Sequence, residues 1–316
     1  MSILIGVETT LLIQGITGRE ASMVVPHMQR YGTRVAAGVT PGRGGQSMCG
    51  VPIFDSVREA LVRTDRPIDT TLVYVPPGAA LAAVEEACAA GLRLIVVITE
   101  RIPLSDVCRM IAIAKDAGAT VVGPNSVGII TPGARVKIGP IGGDEAERCY
   151  QPGRIGVISR SGGMTGECAW MMQRAGFGVS TAVSVGGDPI IGFSAADALR
   201  AFQDDPETDA VLLYAEPGTP YEEEAADLLR SRGFTKPLIA FLAGYFVDAL
   251  PHGTMFGHTA AIVDNGHGLV GTKARKLREA GAWVVDTLND IPAIVARIAG
   301  RGAANVEGVN GSLSTN

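Results

Sequence analysis

The chain has 316 residues, 47% hydrophobic and 19% charged, with 41 glycines and a net charge of −5. That length suits about two α/β domains with ample core, and the balance excludes a disordered or fibrous chain and gives no basic excess for nucleic acid. Five scattered cysteines (49, 88, 108, 149, 168) argue against a disulfide framework or structural zinc, and the start lacks the features of a secretory signal. No run of about 20 apolar residues could span a membrane, so a reducing cytoplasm is expected.

Residues 10–14 read as a buried strand, after which Gly15-Ile16-Thr17-Gly18-Arg19-Glu20 opens a helix. Glycines at such a turn let backbone amides approach an anion at the positive end of the helix. The next strand, 34–39, ends without the Asp or Glu that would hold an NAD ribose. It runs instead into Thr40-Pro41-Gly42-Arg43-Gly44-Gly45, a cation among free amides, which leaves a 2′-phosphorylated dinucleotide and coenzyme A both open. Ser56-Val57-Arg58-Glu59 has the spacing of a capping box. Strands at 71–75, 92–98 and 120–122 alternate with helices at 79–90, with Glu85 and Glu86 toward solvent, and at 107–117. This alternation predicts a parallel sheet with its ligands at the carboxyl ends of the strands. Thr17, Arg43, Thr99, Glu100 and Asn125 all fall there and suggest one ligand. Met23, Met28 and Met110, at helical positions, read as core.

From 131 to 153 the pattern loosens into Pro-Gly and Gly-Gly turns, which reads as a linker between a domain at 1–130 and a second at 154–300. The second begins with a strand at 154–158. Ser159-Arg160-Ser161-Gly162-Gly163-Met164-Thr165-Gly166 then leads into a helix through Arg174, another seat for an anion. Strands at 181–185, 209–214, 236–242 and 282–285 follow, the first two ending in Gly186-Gly187-Asp188-Pro189 and Ala215-Glu216-Pro217-Gly218. Gly253-Thr254-Met255-Phe256-Gly257-His258-Thr259 puts an imidazole on a loop after an apolar run. Neutral histidine, with an ordinary pKa of about 6.5, is a competent nucleophile, and a carboxylate such as Glu216 at a nearby strand end would orient it. Cys168 reads as a small buried residue, and residues after 301 as a disordered tail.

These motifs, in this order, resemble the alpha subunit of succinyl-CoA synthetase and the related nucleoside-diphosphate-forming acid–CoA ligases. The stretches that carry the resemblance are Gln14-Gly-Ile-Thr-Gly18, Gly38-Val-Thr-Pro-Gly42, Gly123-Pro-Asn125, Ser159-Arg-Ser-Gly162, Gly186-Gly-Asp-Pro189 and Gly257-His258. It implies a Rossmann-like CoA-binding domain followed by a flavodoxin-like parallel-sheet domain. Thr17, Gly18, Arg19 and Glu20 would line the CoA diphosphate, Arg43 (usually Lys) would hold a phosphate, and Ile98, Thr99, Glu100 and Asn125 would contact the rest. His258 would be the phosphorylated histidine and Glu216 its orienting carboxylate. Ser159, Ser161, Gly162, Gly163, Gly166 and Gly187 would serve the phosphoryl group and the acid.

The chain has no Gly-x-x-x-x-Gly-Lys-[Ser/Thr] loop and no spare length for an ATP-grasp domain. The resemblance therefore assigns ATP or GTP, with Mg²⁺, to a separate ATP-grasp beta subunit in an αβ or α2β2 assembly, and no metal to this chain. Three departures bear on the acid, one being that Thr254 and Met255 stand where succinate enzymes commonly carry basic residues. Gly166 stands where succinate enzymes carry Tyr, and Glu216-Pro217-Gly218-Thr219 replaces a Glu-Ile-Gly-Gly run. The glycine-rich version, with Gly142-Gly143, is similar to ATP-citrate lyase and citryl-CoA synthetase. The acid is thus expected to be a di- or tricarboxylate such as succinate, malate or citrate. An NADP-linked oxidoreductase and a non-catalytic CoA-binding regulatory protein are the two other readings.

Overall fold

The computed structural model describes residues 2–250, 258, 260–263 and 268–300. Residues 253–257 and Thr259 of the histidine loop, and the stretch 301–316 read as a tail, lie outside the described residues. The first half runs β1 (Thr10–Gln14), α1 (Arg19–Tyr31), β2 (Arg34–Val39), β3 (Ser47–Met48), β4 (Val51–Phe54), α2 (Val57–Arg63), β5 (Thr70–Val73), α3 (Ala80–Ala89), β6 (Leu94–Val97), α4 (Leu104–Asp116) and β7 (Thr120–Val122). The second runs β8 (Gly128–Thr131), β9 (Val136–Ile138), β10 (Pro152–Ser159), α5 (Gly162–Arg174), β11 (Val179–Ser184), α6 (Ala195–Gln203), β12 (Ala210–Ala215), α7 (Tyr221–Arg230), β13 (Leu238–Leu242), α8 (Val270–Glu279), β14 (Trp283–Val285) and α9 (Ile291–Ile298).

Continuous apolar strands mark sheets covered on both faces, since successive side chains point to opposite sides. In β1, Leu11 and Ile13 enter one core while Leu12 enters another. In the second half, Ile158, Val183 and Leu213 share that first core, whereas Val157, Ala182 and Leu212 face a third. One face of each sheet thus packs into a single shared core. Gln14, buried in β1, has its amide satisfied by the Ala83 carbonyl at 2.9 Å and the Thr71 hydroxyl at 3.1 Å.

The first sheet has the order β3-β4-β2-β1-β5-β6-β7, parallel except for β3. Without β3 this is the Rossmann order. The second has the order β14-β13-β12-β10-β11-β8-β9. Its five parallel strands follow the flavodoxin order, and β8 and β9 add an antiparallel edge. In each sheet the first parallel strand, β1 or β10, has its successors on opposite sides, which creates a switch point and a crevice at its carboxyl end. Among the described residues no helix is long and apolar enough to cross a membrane.

Several expectations are corrected. The stretch expected to begin as a linker at 131 instead closes a hairpin. Ile129, Ile130, Val136 and Ile138 are almost wholly buried, and the Pro-Gly signal is the turn between β8 and β9. Thr33, at the end of α1, fastens this hairpin by exchanging hydrogen bonds with the Lys137 backbone at 2.6 and 3.0 Å. Glu86 is not a solvated residue, because its carboxylate accepts the Val57 amide at 2.8 Å and so sits at the positive end of α2. Ser56 caps α2 by accepting the Glu59 amide at 3.1 Å, but the Glu59 carboxylate reaches back to Asp55 at 3.2 Å, one residue before the cap. Met28 and Met110 are core, while Met23, two residues from the buried Ala21 and Val25, faces away from it and is 61% exposed.

Candidate active site at the two switch points

At the first switch point, Gly15 has a φ of +82° and passes so close to the Tyr74 backbone that a Cβ would stand 3.0 Å from it. Gly18 is the N-cap of α1 and offers no side-chain cap, so the first-turn amides face outward with the exposed Arg19 and Glu20. The Thr17 hydroxyl donates to that of Thr40 at 3.2 Å, tying the ends of β1 and β2 together. Arg43 is exposed on the loop beyond, between Gly42 and Gly45, where a Cβ would meet open space. Further along the same edge Ile98 and Thr99 are half-buried, Glu100 is exposed, and the Thr99 hydroxyl donates to the Val75 carbonyl at 2.7 Å. Neighbouring strands are about 4.8 Å apart, so the row of ends from β2 to β7 is about 19 Å long.

Asn125, after β7, joins the two halves. It takes a φ of +55°, a left-handed conformation that asparagine tolerates. Its amide N–H donates to the Thr99 carbonyl at 3.0 Å, and its own carbonyl accepts the Gly187 N–H at 3.1 Å. The Asn125 side chain donates to Asp188 Oδ1 at 2.9 Å. Asp188 is 7% exposed, and its pKa is raised, chiefly by burial.

At the second switch point, Ser161 caps α5 by accepting the Met164 N–H at 3.4 Å. Gly163 faces open space, whereas a Cβ on Gly162 would collide with Val127. Ser159 is wholly buried. Its hydroxyl donates to the Ser161 carbonyl at 2.7 Å and accepts the Ser161 N–H at 3.1 Å. The Ser159 hydroxyl thus holds the loop that starts α5. Gly166 lies above the Tyr150 hydroxyl, which is buried without a hydrogen-bond partner among the described residues. Gly163 and Gly166 line a groove of about 550 Å³ with Trp170, Asp144, Glu145, Glu167 and Arg148, the last paired with Glu145 at 3.0 Å. Cys168 is buried and its thiol is pushed up to about 12, out of range for a nucleophile at neutral pH.

Glu216 and His258 meet. Nδ1 of His258 lies 2.6 Å from Glu216 Oε2, and the two side chains are 33% and 12% exposed. The ring rests on Gly187, where a Cβ would stand 2.9 to 3.0 Å from its atoms. The hydrogen bond that the ring donates to Glu216 raises the imidazole pKa, partly opposed by burial and by the charge of Arg160. A carboxylate so placed holds the proton on Nδ1 and leaves the lone pair on Nε2. Among the described residues no three His, Cys, Asp or Glu side chains converge as metal ligands.

The sequence reading did not assign a role to Arg160 or Lys273. Arg160 is 3% exposed and donates to the Thr219 hydroxyl at 2.8 Å and the Asp188 carbonyl at 3.4 Å, bridging the loops on either side of His258. Thr219 has a φ of +46°, at a position where the resemblance leads one to expect glycine. The buried guanidinium supplies the hydrogen bond that offsets the strain of a side chain there.

A family model described as a CoA binding domain matches residues 7–101, and one described as CoA-ligase matches 158–283. The alpha 2 subunit of an ADP-forming succinate–CoA ligase from Archaeoglobus fulgidus is 40% identical over 299 residues, covering 94% of this chain and 100% of that one. The chain belongs to the succinate–CoA ligase alpha-subunit family. It is accordingly the CoA-binding subunit of an acid–thiol ligase. Other family members carry different acids in their names. The malate–CoA ligase alpha subunit of Methylorubrum extorquens is 41% identical over 307 residues, covering 96% of this chain and 100% of that one. A subunit of an ADP-forming sulfoacetate–CoA ligase from an Acholeplasma species is 43% identical over 288 residues, covering 90% and 94%. Such even identities do not select an acid. The ATP citrate lyase of Methanosaeta concilii, solved with (3S)-citryl-CoA, has a TM-score of 0.86 at 24% identity, covering 99% of this chain and 53% of that one. This chain spans about half the length of that structure, and the likeness is one of fold.

Proposed function

We propose that this chain is the alpha subunit of a cytoplasmic, nucleoside-diphosphate-forming carboxylic acid–CoA ligase in which His258 Nε2 carries the phosphoryl group. The observation that supports this is the 2.6 Å contact of Nδ1 with Glu216, which leaves the other ring nitrogen free. A carboxylate does not acylate a thiol directly, because oxide is too poor a leaving group. Attack by Nε2 on a terminal phosphate forms the N–P bond and releases the nucleoside diphosphate, and Glu216 stabilises the positive charge that the ring acquires. The acid's oxygen then takes the phosphoryl group, restoring the neutral ring and giving an acyl phosphate. Coenzyme A, as the second substrate, supplies the thiol that attacks this carbonyl and expels phosphate.

In this reading Thr17, Gly18, Arg19, Glu20 and Arg43 hold the phosphates of CoA, and Ile98, Thr99, Glu100 and Asn125 guide the rest toward His258. The uncapped start of α1 and the open loop around Arg43 fit such a polyanion. The amides of Gly162 and Gly163 receive the phosphoryl group and the acid, since α5 starts on the strand between those bearing Glu216 and Gly187, about 5 Å from each. The resemblance of the motifs, rather than the groove beside Gly163 and Gly166, supports a di- or tricarboxylate, because Asp144, Glu145 and Glu167 also line that groove and Arg148 is its one cation among the described residues. ATP or GTP and its Mg²⁺ belong to an ATP-grasp beta subunit, in an αβ or α2β2 assembly.

The test uses the complex with its partner subunit. Mg-ATP or Mg-GTP should leave an acid-labile phosphate on His258 in peptide mass spectrometry. CoA plus one acid among succinate, malate, citrate and sulfoacetate should discharge it. Absence of phosphate with both nucleotides would refute the reading.

A further inference from the structure

The turn that carries Glu216 is held in an unusual shape. Gly218 and Thr219 follow one another at φ +75° and +46°, two left-handed residues in succession. Gly218 has no room for a Cβ, because the carbonyl of Ala260, two residues past His258, lies directly against it. Its N–H donates to the Gly268 carbonyl at 3.0 Å.

Beneath this turn lies Lys273 of α8, wholly buried. Its ammonium donates to the Glu216 carbonyl at 3.3 Å, to the Gly218 carbonyl, and to Glu222 Oε2 at the start of α7. Glu222 is 1% exposed, and its other oxygen has no hydrogen-bond partner among the described residues. A buried ion pair is a poor device for stability alone, since apolar residues of similar volume often do as well or better. An ammonium here does what no apolar side chain can, which is to bind two carbonyls of one turn from a single point. A turn so bound has little freedom to swing its carboxylate away from the imidazole.

We propose that Lys273, with Glu222 as its counter-charge, is a positioning residue of the ligase, fixing the Glu216 turn in the conformation that lets the carboxylate meet His258 Nδ1. The inference rests on the reading of His258 as nucleophile, and the test separates the two.

Lys273→Met/Glu222→Leu removes both members of the pair, and Glu223, 3.9 Å from Lys273, keeps Lys276 at 3.9 Å as its counter-charge. In the complex with the partner subunit, diethyl pyrocarbonate, which acylates imidazole only in its neutral form, titrates His258 by peptide mass spectrometry. In the native chain the midpoint should lie above the ordinary value. In the double variant it should fall back toward that value, the rate of His258 phosphorylation should drop about 10- to 100-fold, and CoA affinity should stay unchanged. A folded double variant with the native midpoint and the native phosphorylation rate overturns the proposal. If the double variant does not fold, Lys273→Arg decides by the same two readouts, because a planar guanidinium cannot serve three acceptors from one nitrogen. A native complex that takes no phosphate on His258 defeats the nucleophile, while the titration still decides whether Lys273 orients Glu216.

Discussion

An imidazole that donates Nδ1–H to a carboxylate gains orientation, but it also gains affinity for a second proton, which would occupy Nε2. Because Glu216 raises the pKa of His258 above 6.5, phosphorylation should increase with pH through a midpoint above that value. Glu216→Gln should move this midpoint down and lower the plateau about 10- to 100-fold, as rapid-quench measurement across pH 5–9 would show. A raised folded pKa means the contact contributes stability that is full below about pH 6.5 and is lost as pH rises through the raised value. The ring is therefore held most firmly where it is least reactive. The pairing of His258 with Glu216 was legible because both follow strand ends of one parallel sheet. Lys273 was not, since on α8 it stands among Arg275, Lys276 and Arg278 and reads as one more charge on a solvated face. Only the packing of α8 against the Glu216 turn reveals it.

At the scale of elements, the start of α5 separates stability from activity. A Cβ on Gly163 would stand in open space, whereas one on Gly162 would strike Val127. Gly163→Ala should leave folding intact or raise stability by up to about 1 kcal/mol, while cutting kcat/KM for the acid by crowding the amides offered to it. Gly162→Ala should lower stability. Thermal unfolding set beside steady-state kinetics distinguishes the two, and an active, unaffected Gly163→Ala enzyme would remove α5 from the acid site. Most strands of both sheets were readable as short apolar runs bounded by glycine and proline, because a sheet buried on both faces needs no alternation, but the short β3 and β4 were not. The β8–β9 hairpin was missed for the same reason in reverse. Its strands are only four and three residues long, and their Pro-Gly turn has the composition of a linker.

For the whole molecule, the shared core decides how the two halves behave. Leu11, Ile13 and Val96 of the first sheet pack in one cluster with Ile158, Val183 and Leu213 of the second. The chain in its complex should therefore unfold without a separate early transition for the CoA-binding half. Coenzyme A at 100 times its Kd should stabilise both halves together, by about 2.7 kcal/mol. Calorimetry with and without CoA checks this, and a shift confined to one of two transitions would contradict it.

Three residues span the join between those halves through their backbones. Asn125 takes its place against Thr99 through one backbone hydrogen bond and holds Gly187 through another, and the imidazole lies on Gly187. The interval between the end of the CoA row and the reactive nitrogen is thus written in main chain, like the rungs of a short ladder. The amino-terminal ends of the sheets could loosen without changing that interval. In the proposed ligase the floor on which the imidazole lies is therefore set against the end of the CoA row by backbone, and side-chain changes along the join leave that floor in place.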